Sequence, residues 1–197
     1  MPIEKAQAVE ATRRAELQVQ LDATLHNWPT TITLEIGCGH GHYLAAYAAA
    51  HPEEYCLGID IIRDRLERAQ RKTHRARLAN VAFFLTEARM LVENLPEAVR
   101  LNRILVLFPD PWPKRRHAKN RLLKSTFLDL LAQKSTPTAK LFFRTDHAPY
   151  FEETKALLHE HPDWQLSDEP WPFEHITVFQ SRAPDHQSCI ATRRKPL

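Results

Sequence analysis

Glycine is scarce in this chain of 197 residues. There are four, and three of them, Gly37, Gly39 and Gly41, fall within one short loop. Scarcity so concentrated implies a single place where the backbone bends as side chains forbid, or comes close against a ligand. Cysteine is equally sparse. Cys38, Cys56 and Cys189 are odd in number and scattered, with no Cys-x-x-Cys pair, so neither a disulfide framework nor a thiolate zinc site is suggested and a reducing compartment fits best. No apolar run approaches the roughly 20 residues that a membrane span requires. Residues Met1 to Thr24 are dense in Glu, Arg and Gln and lack the apolar core of a secretory signal. A soluble, cytoplasmic protein with no membrane partner is expected. The net charge of +3 is too mild to identify a nucleic-acid partner by itself.

What the chain does have is alternation. Residues Ile3 to Leu25 show helical spacing, and Asn27-Trp28-Pro29 breaks it. Short β-rich runs follow at Thr31–Glu35, Tyr55–Asp60, Val81–Thr86, Asn102–Phe108 and Lys140–Thr145. Helical stretches lie at Tyr43–Ala50, Asp64–Arg77, Ala88–Leu95, Lys124–Gln133 and Pro149–His159. This predicts an α/β fold with a doubly wound, mostly parallel sheet of about seven strands and a late antiparallel strand. The expected organisation is an N-terminal helix or arm over residues 1–29 and one domain over residues 30–197. Ser135 to Ala139 reads as a surface turn before the fifth strand, and residues 183–197 as either a strand or a lid.

In such a sheet the ligand lies beyond the carboxyl ends of the central strands, so the turn after the first strand carries most information. That turn is Glu35-Ile36-Gly37-Cys38-Gly39-His40-Gly41. A dinucleotide fingerprint would place its third glycine one position later and needs no preceding acid. Glu35, together with Asp60 and Glu87 at the ends of the next two strands, suits a cofactor bearing an ammonium, a sulfonium and hydroxyls. S-adenosylmethionine is such a molecule. Asp60 is placed for the ribose hydroxyls and Glu87 for the adenine; the alternative is that both merely cap the helices that follow.

A second constellation follows the fourth strand: Phe108-Pro109-Asp110-Pro111-Trp112-Pro113-Lys114-Arg115-Arg116-His117. Prolines at alternate positions stiffen it and pin Asp110 and Trp112 at the cofactor edge of the sheet. Six Lys or Arg and no acid lie between Lys114 and Lys124, either a cationic patch for phosphates or a solvated loop. Arg63 to Arg77 holds seven Lys or Arg against Asp64 and Glu67 and reads as an extension of a phosphate track or as a helix dressed with solvated charge. His40 with His42, and His159 with His161, do not put two rings on one helix face beside a third ligand, so no metal is expected.

The chain resembles the bacterial tRNA (guanine-N7) methyltransferases, a class I, Rossmann-like family, from about Leu34 to Gln180. The resemblance rests on Leu34 to Gly41, Gly58-Ile59-Asp60, the Phe108 to Lys114 block with Arg116 and His117, and Arg144-Thr145-Asp146. It implies that Glu35, Gly37, Gly39, Gly41, Asp60, Glu87 and Asp110 surround S-adenosylmethionine. Trp112, Lys114, Arg116, Asp146, Thr177 and Gln180 would face a tRNA substrate. Asp110 is the candidate catalytic residue, for positioning and electrostatic stabilisation; Asp146 would accept from guanine N1 and N2. Trp112 is a stacking surface for an extruded base or a core anchor. Where the family pattern has glutamate, this chain has Gln180, neutral and with one acceptor beside two donors. Hence two other readings stand beside tRNA: a small nitrogen heterocycle as substrate, or a non-catalytic cofactor-binding partner of an RNA-modifying protein. The protein is expected as a monomer or homodimer.

Overall fold

The computed structural model describes residues 3–177, 179–182 and 185–194. The chain opens with α1 (Ile3–Leu25), then runs β1 (Thr31–Ile36), α2 (His42–Ala50), β2 (Cys56–Asp60), α3 (Arg63–Arg75), β3 (Val81–Leu85), α4 (Ala88–Asn94) and β4 (Arg100–Leu107). A 3-10 turn at Arg115–Asn120 leads to α5 (Ser125–Gln133), β5 (Ser135–Thr145), α6 (Ala148–Glu160), β6 (Trp164–Ser167) and β7 (Gln187–Arg193). Among the described residues seven strands form one sheet in the order β3-β2-β1-β4-β5-β7-β6. β7 is antiparallel to both β5 and β6, and the other pairings are parallel. The expected late antiparallel strand is therefore β7, which also places a strand within residues 183–197; Ala183, Pro184 and residues 195–197 lie outside the described residues.

Strands buried on both faces explain the short β-rich runs read from the sequence. On β1, Ile32, Leu34 and Ile36 join one core with Leu91, Leu128 and Tyr150. The opposite face carries Glu35, and there Leu105 and Phe142 of neighbouring strands pack with Tyr43, Leu44 and Tyr47 of α2 and with Leu66 and Ala69 of α3. α3 buries Leu66, Ala69 and Thr73 at helical spacing and exposes most of its charged remainder. Leu17, Leu21 and Leu25 dock the last turns of α1 against the first core.

One expectation is corrected. Ser135 to Ala139 belongs to β5 and is not a turn. The pairing between β4 and β5 jumps from Leu101 opposite Ser135 to Arg103 opposite Lys140, an irregularity that accommodates Pro137. The run looks like a turn because its residues favour turns, whereas Ser135 and Ala139 are buried.

Candidate functional site

The chain leaves β1 toward β2 on one side and returns to β4 on the other, so the sheet's switch point lies between β1 and β4. A cavity of about 400 Å³ opens there, within the range of roughly 300–1,000 Å³ typical of small-molecule sites. Its wall from β1 and the following loop consists of Glu35, Gly37, Cys38, Gly39, His40, His42 and Tyr43. The wall from β4 is Leu107, Phe108 and Asp110. Arg65 of α3 and Thr177, Phe179 and Gln180 complete it.

Gly37, Gly39 and Gly41 all have positive φ, 74°, 54° and 62°. A Cβ on Gly37 or Gly39 would meet nothing within 4 Å, so the bare backbone faces open space. Gly41 differs: its Cβ would stand 2.7 Å from the Ala69 Cβ and 3.0 Å from the Phe83 ring. Gly41→Ala is accordingly expected to destabilise the fold by about 1–3 kcal/mol through overpacking and left-handed strain, and Gly39→Ala by about 1 kcal/mol through strain alone, as read by urea denaturation. The loop is fastened from three sides. Gly37 N and Cys38 N donate to Ile59 O, both at 2.9 Å. Gly39 N donates to Asp60 Oδ2 at 2.9 Å. Lys72 Nζ donates to His40 O at 2.8 Å. Asp60 also accepts from Ile62 N at 2.9 Å through Oδ1, so its buried carboxylate ties the loop to the entry of α3.

Glu35 is buried at 4% exposure, and its Oε2 has no hydrogen-bond partner among the described residues. Burial pushes its carboxyl up to about 8; the Leu44 backbone N–H opposes this, and the neighbouring Asp60 adds to it. Burial, with Glu35 and Asp60 nearby, also raises the Cys38 thiol, which leaves it unreactive. His40 and His42 are shifted down by partial burial and by neighbouring cations, Arg68, Arg65 and Lys72 at His40 and Lys72 at His42, which favours their neutral forms.

The proline block is held under backbone strain. Phe108 and Trp112 adopt φ of 51° and 47°, values that side chains disfavour. Arg121 secures the loop: its Nε donates to Pro111 O at 3.0 Å, its guanidinium lies over the Tyr150 ring at 4.9 Å, and it pairs with Glu153. Arg121 is 7% exposed. It therefore leaves the cationic patch to which its position in the sequence assigned it; Lys114, Arg116, Lys119 and Lys124 are exposed. Trp112 is no core anchor, being 36% exposed and edge-on to His117 at 6.0 Å between ring centroids.

The cavity is completed by the segment after β6. Tyr43 Oη donates to Phe173 O at 3.0 Å, and the Phe173 ring stands edge-on to Tyr43 and Tyr47. Arg144, 2% exposed, forks onto Glu174 at 2.9 and 2.7 Å, donates to Ser188 Oγ at 2.8 Å and lies over Trp171 at 4.1 Å. The buried Gln180 amide lies beside this network; with its oxygen turned to Arg144 Nη1 (3.1 Å) and its nitrogen to His175 O (3.3 Å), both of its polar atoms would be satisfied. Arg144 holds the Glu174 carboxyl below its ordinary value.

Of the sequence candidates, Glu35, Gly37, Gly39, Asp110, Thr177 and Gln180 thus meet at one cavity. Val178 lies outside the described residues. Gly41 and Asp60 are buried beside the cavity without lining it, Asp60 being bonded to Gly39 N of its wall. Trp112, Lys114, Arg116 and Asp146 are exposed and do not line the cavity. Glu87 does not line it and instead borders a surface depression shared with Arg13, Arg14 and Arg89. Arg65, Tyr43, Phe108 and Phe179 line the site without having been singled out. Ile61 and Ile62, 69% and 40% exposed directly after Asp60, offer apolar surface beside it; an apolar pair following a strand-end acid was the available signal. Asp129, His161 and Asp163 also converge. There His161 Nδ1 accepts from Asp163 N at 3.1 Å, and its Nε2 lies 3.2 Å from Asp129 Oδ1.

A family model described as "Putative methyltransferase" matches residues 29–191. A tRNA (guanine-N(7)-)-methyltransferase of Caulobacter vibrioides is 36% identical over 152 residues, 75% of this chain and 67% of the relative. The chain belongs to the tRNA (guanine-N7) methyltransferase family. The relative of that name from Magnetococcus marinus is 39% identical over 143 residues, 72% of this chain and 56% of its own length. The matches thus span about half to two thirds of these two relatives. The methyltransferase fold is shared more widely: precorrin-6y C5,15-methyltransferase of Geobacter metallireducens superposes with a TM-score of 0.59 at 12% identity, over 91% of this chain and 88% of that one.

Proposed function

We propose that this chain transfers a methyl group from S-adenosylmethionine to N7 of a guanine in tRNA. The observation that carries the reading is the cavity between β1 and β4, with an unpartnered buried carboxylate at one wall and the strained Asp110 loop with exposed cations beyond it at the other. The residues fit the cofactor. Glu35 Oε2 would take its ammonium, and the bare backbone of Gly37 and Gly39 would let it approach closely. Asp60, whose oxygens keep spare lone pairs beside their two backbone bonds, would take ribose hydroxyls. Ile61 and Ile62 would cover an aromatic face.

When bound, the cofactor supplies a methyl on a positively charged sulfur. Guanine N7 carries a free lone pair, so the protein has no proton to remove; its work is in-line alignment and tolerance of positive charge growing on the purine. Asp110 supplies that tolerance from a loop stiffened by Pro109 and Pro111. A tRNA base is buried in stacking and must be extruded, for which exposed Trp112 is the partner. Lys114 and Arg116 contact phosphates. Asp146, a carboxylate, would accept the hydrogen bonds from guanine N1 and N2, for which the neutral Gln180 offers one acceptor beside two donors. Such an enzyme works in the cytoplasm, where tRNA is; among the described residues no helix is long and apolar enough to cross a membrane.

Incubation with labelled S-adenosylmethionine and unmodified tRNA is expected to yield 7-methylguanosine, with turnover falling steeply as salt rises. Labelled RNA lacking that nucleoside sinks the reading. Strong turnover of a free purine, insensitive to salt, replaces tRNA with a small heterocycle.

A further inference from the structure

α3 carries more positive charge than its fold requires. Arg65, Arg68, Lys72 and Arg75 recur at intervals of three and four, so they share one flank of the helix, about 15 Å long at 1.5 Å per residue. Arg68, Arg71, Lys72 and Arg75 line one open depression of about 470 Å³. Within it, residues 68 and 71, 68 and 72, 71 and 75, and 72 and 75 are like-charged helix neighbours, each pair unfavourable on its own. Relief from acids is slight. Glu67 approaches Arg71 only at 3.9 Å, in an exposed pair, and among the described residues Arg68 and Arg75 have no ion-pair partner. A helix that crowds cations in this way is stabilised by an anion laid along it.

The stripe has a direction. At its first turn Arg65 lines the central cavity and stands 3.9 Å from Asp60. Midway, Lys72 reaches back to His40 O, and His40 lines the same cavity. We propose that this flank of α3 is a track for the phosphates of a nucleic-acid strand, leading away from the cavity mouth on the side opposite the Lys114–Lys124 loop. The strand is taken as RNA, which rests on the function proposed above. Its elongated shape suits successive phosphates better than one small anion. Between Arg63 and Arg77 the exposed residues include no large apolar side chain, so the flank has nothing to insert into a lipid surface.

The test measures direct binding of unmodified tRNA to the full chain across a salt series, independently of methylation. Arg68→Gln/Arg75→Gln is compared with Arg13→Gln/Lys155→Gln, which removes the same charge from exposed sites on α1 and α6. The α3 pair is expected to weaken binding by about 10- to 100-fold at low salt and to flatten the slope of log K against log salt by roughly 1.4 to 1.8. The control pair should leave the slope in place. S-adenosylhomocysteine affinity should be unchanged, and the low-salt Tm of the α3 variant unchanged or higher, since repulsion has been removed. An unaltered slope, or equal flattening by the control pair, overturns the track. So does loss of binding to anionic phosphatidylserine vesicles with tRNA binding intact, which would assign the flank to lipid. If the protein binds tRNA with the expected slopes yet makes no 7-methylguanosine, the track stands and the proposed reaction falls. No tRNA binding by the unaltered chain overturns both.

Discussion

Glu35→Gln is expected to lose tight S-adenosylmethionine binding while making the free protein more stable above pH 8. The carboxyl is buried and raised to about 8 from an ordinary 4.5. Between those values the folded chain holds a proton that the unfolded chain has released. The favourable contribution is therefore complete below pH 4.5 and is lost as pH rises through 8, with a total swing of at most about 5 kcal/mol. Glutamine keeps the shape and cannot ionise, so Tm should become flatter with pH and exceed that of the unaltered protein at pH 9. Binding should move the other way. An ammonium against Oε2 requires the carboxylate, so cofactor affinity of the unaltered protein should rise by tens of fold between about pH 6 and pH 8, with close to one proton released per cofactor bound near pH 7. The variant should bind at least about 100-fold more weakly, with no such pH dependence, because a charge-assisted contact is lost in a dry site. Calorimetric titration in two buffers of different ionisation enthalpy reads both quantities. Equal affinity and equal proton release in the two proteins would remove Glu35 from the cofactor site.

Asp110→Asn should lower kcat by about 100- to 1,000-fold with tRNA affinity changed less than two-fold. The magnitude is that of removing one preorganised electrostatic group from a transition state. The separation of kcat from affinity follows from geometry. Pro109, Pro111 and the Arg121 bond to Pro111 O set the loop's shape, and none of them depends on the Asp110 charge. Asparagine is isosteric, so in the proposed reaction the change would remove the field at the methyl and little else. Single-turnover kinetics at saturating tRNA isolate the chemical step. A rise in KM with kcat preserved would make Asp110 an anchor for ground-state substrate instead.

The sheet was legible because its central strands are buried on both faces, and parallel strands of that kind write themselves as apolar runs such as Ile104 to Leu107. The first half of β5 was not, since Thr136, Pro137 and Thr138 are turn formers by local preference and only the jump in pairing against β4 admits them. The glycine loop, Glu35 and Asp110 were legible through topology: strand-end residues of β1 and β4 must meet at the switch point. Arg121 was misassigned because a buried, stacked arginine and a solvated one look alike in a basic run, and its partners Tyr150 and Glu153 lie on a helix about thirty residues away. Glu87 follows β3 at the expected edge of the sheet, yet it borders a surface depression with residues of α1 and not the central cavity. A strand-end rule specifies which edge of the sheet a residue occupies and leaves its rotamer open. Phe179 and Gln180 reach the cavity through the Arg144–Glu174 and Tyr43–Phe173 contacts, which no local pattern announces.

Phe108 and Trp112 sit in the left-handed region, where glycine would relieve about 1–2 kcal/mol of strain at each position. The backbone of the proline block would thus fold more comfortably with two small residues than with two of the bulkiest side chains available. A chain that places three of its four glycines in the loop beside β1 has kept aromatic rings at the two positions of this block where glycine is sterically preferred. Phe108 is accounted for by its neighbour, the Phe179 ring at 5.0 Å across the cavity. For Trp112, 36% exposed and edge-on to His117, the proposed reaction supplies a reason: an extruded base would find an aromatic ring already fixed at the protein surface.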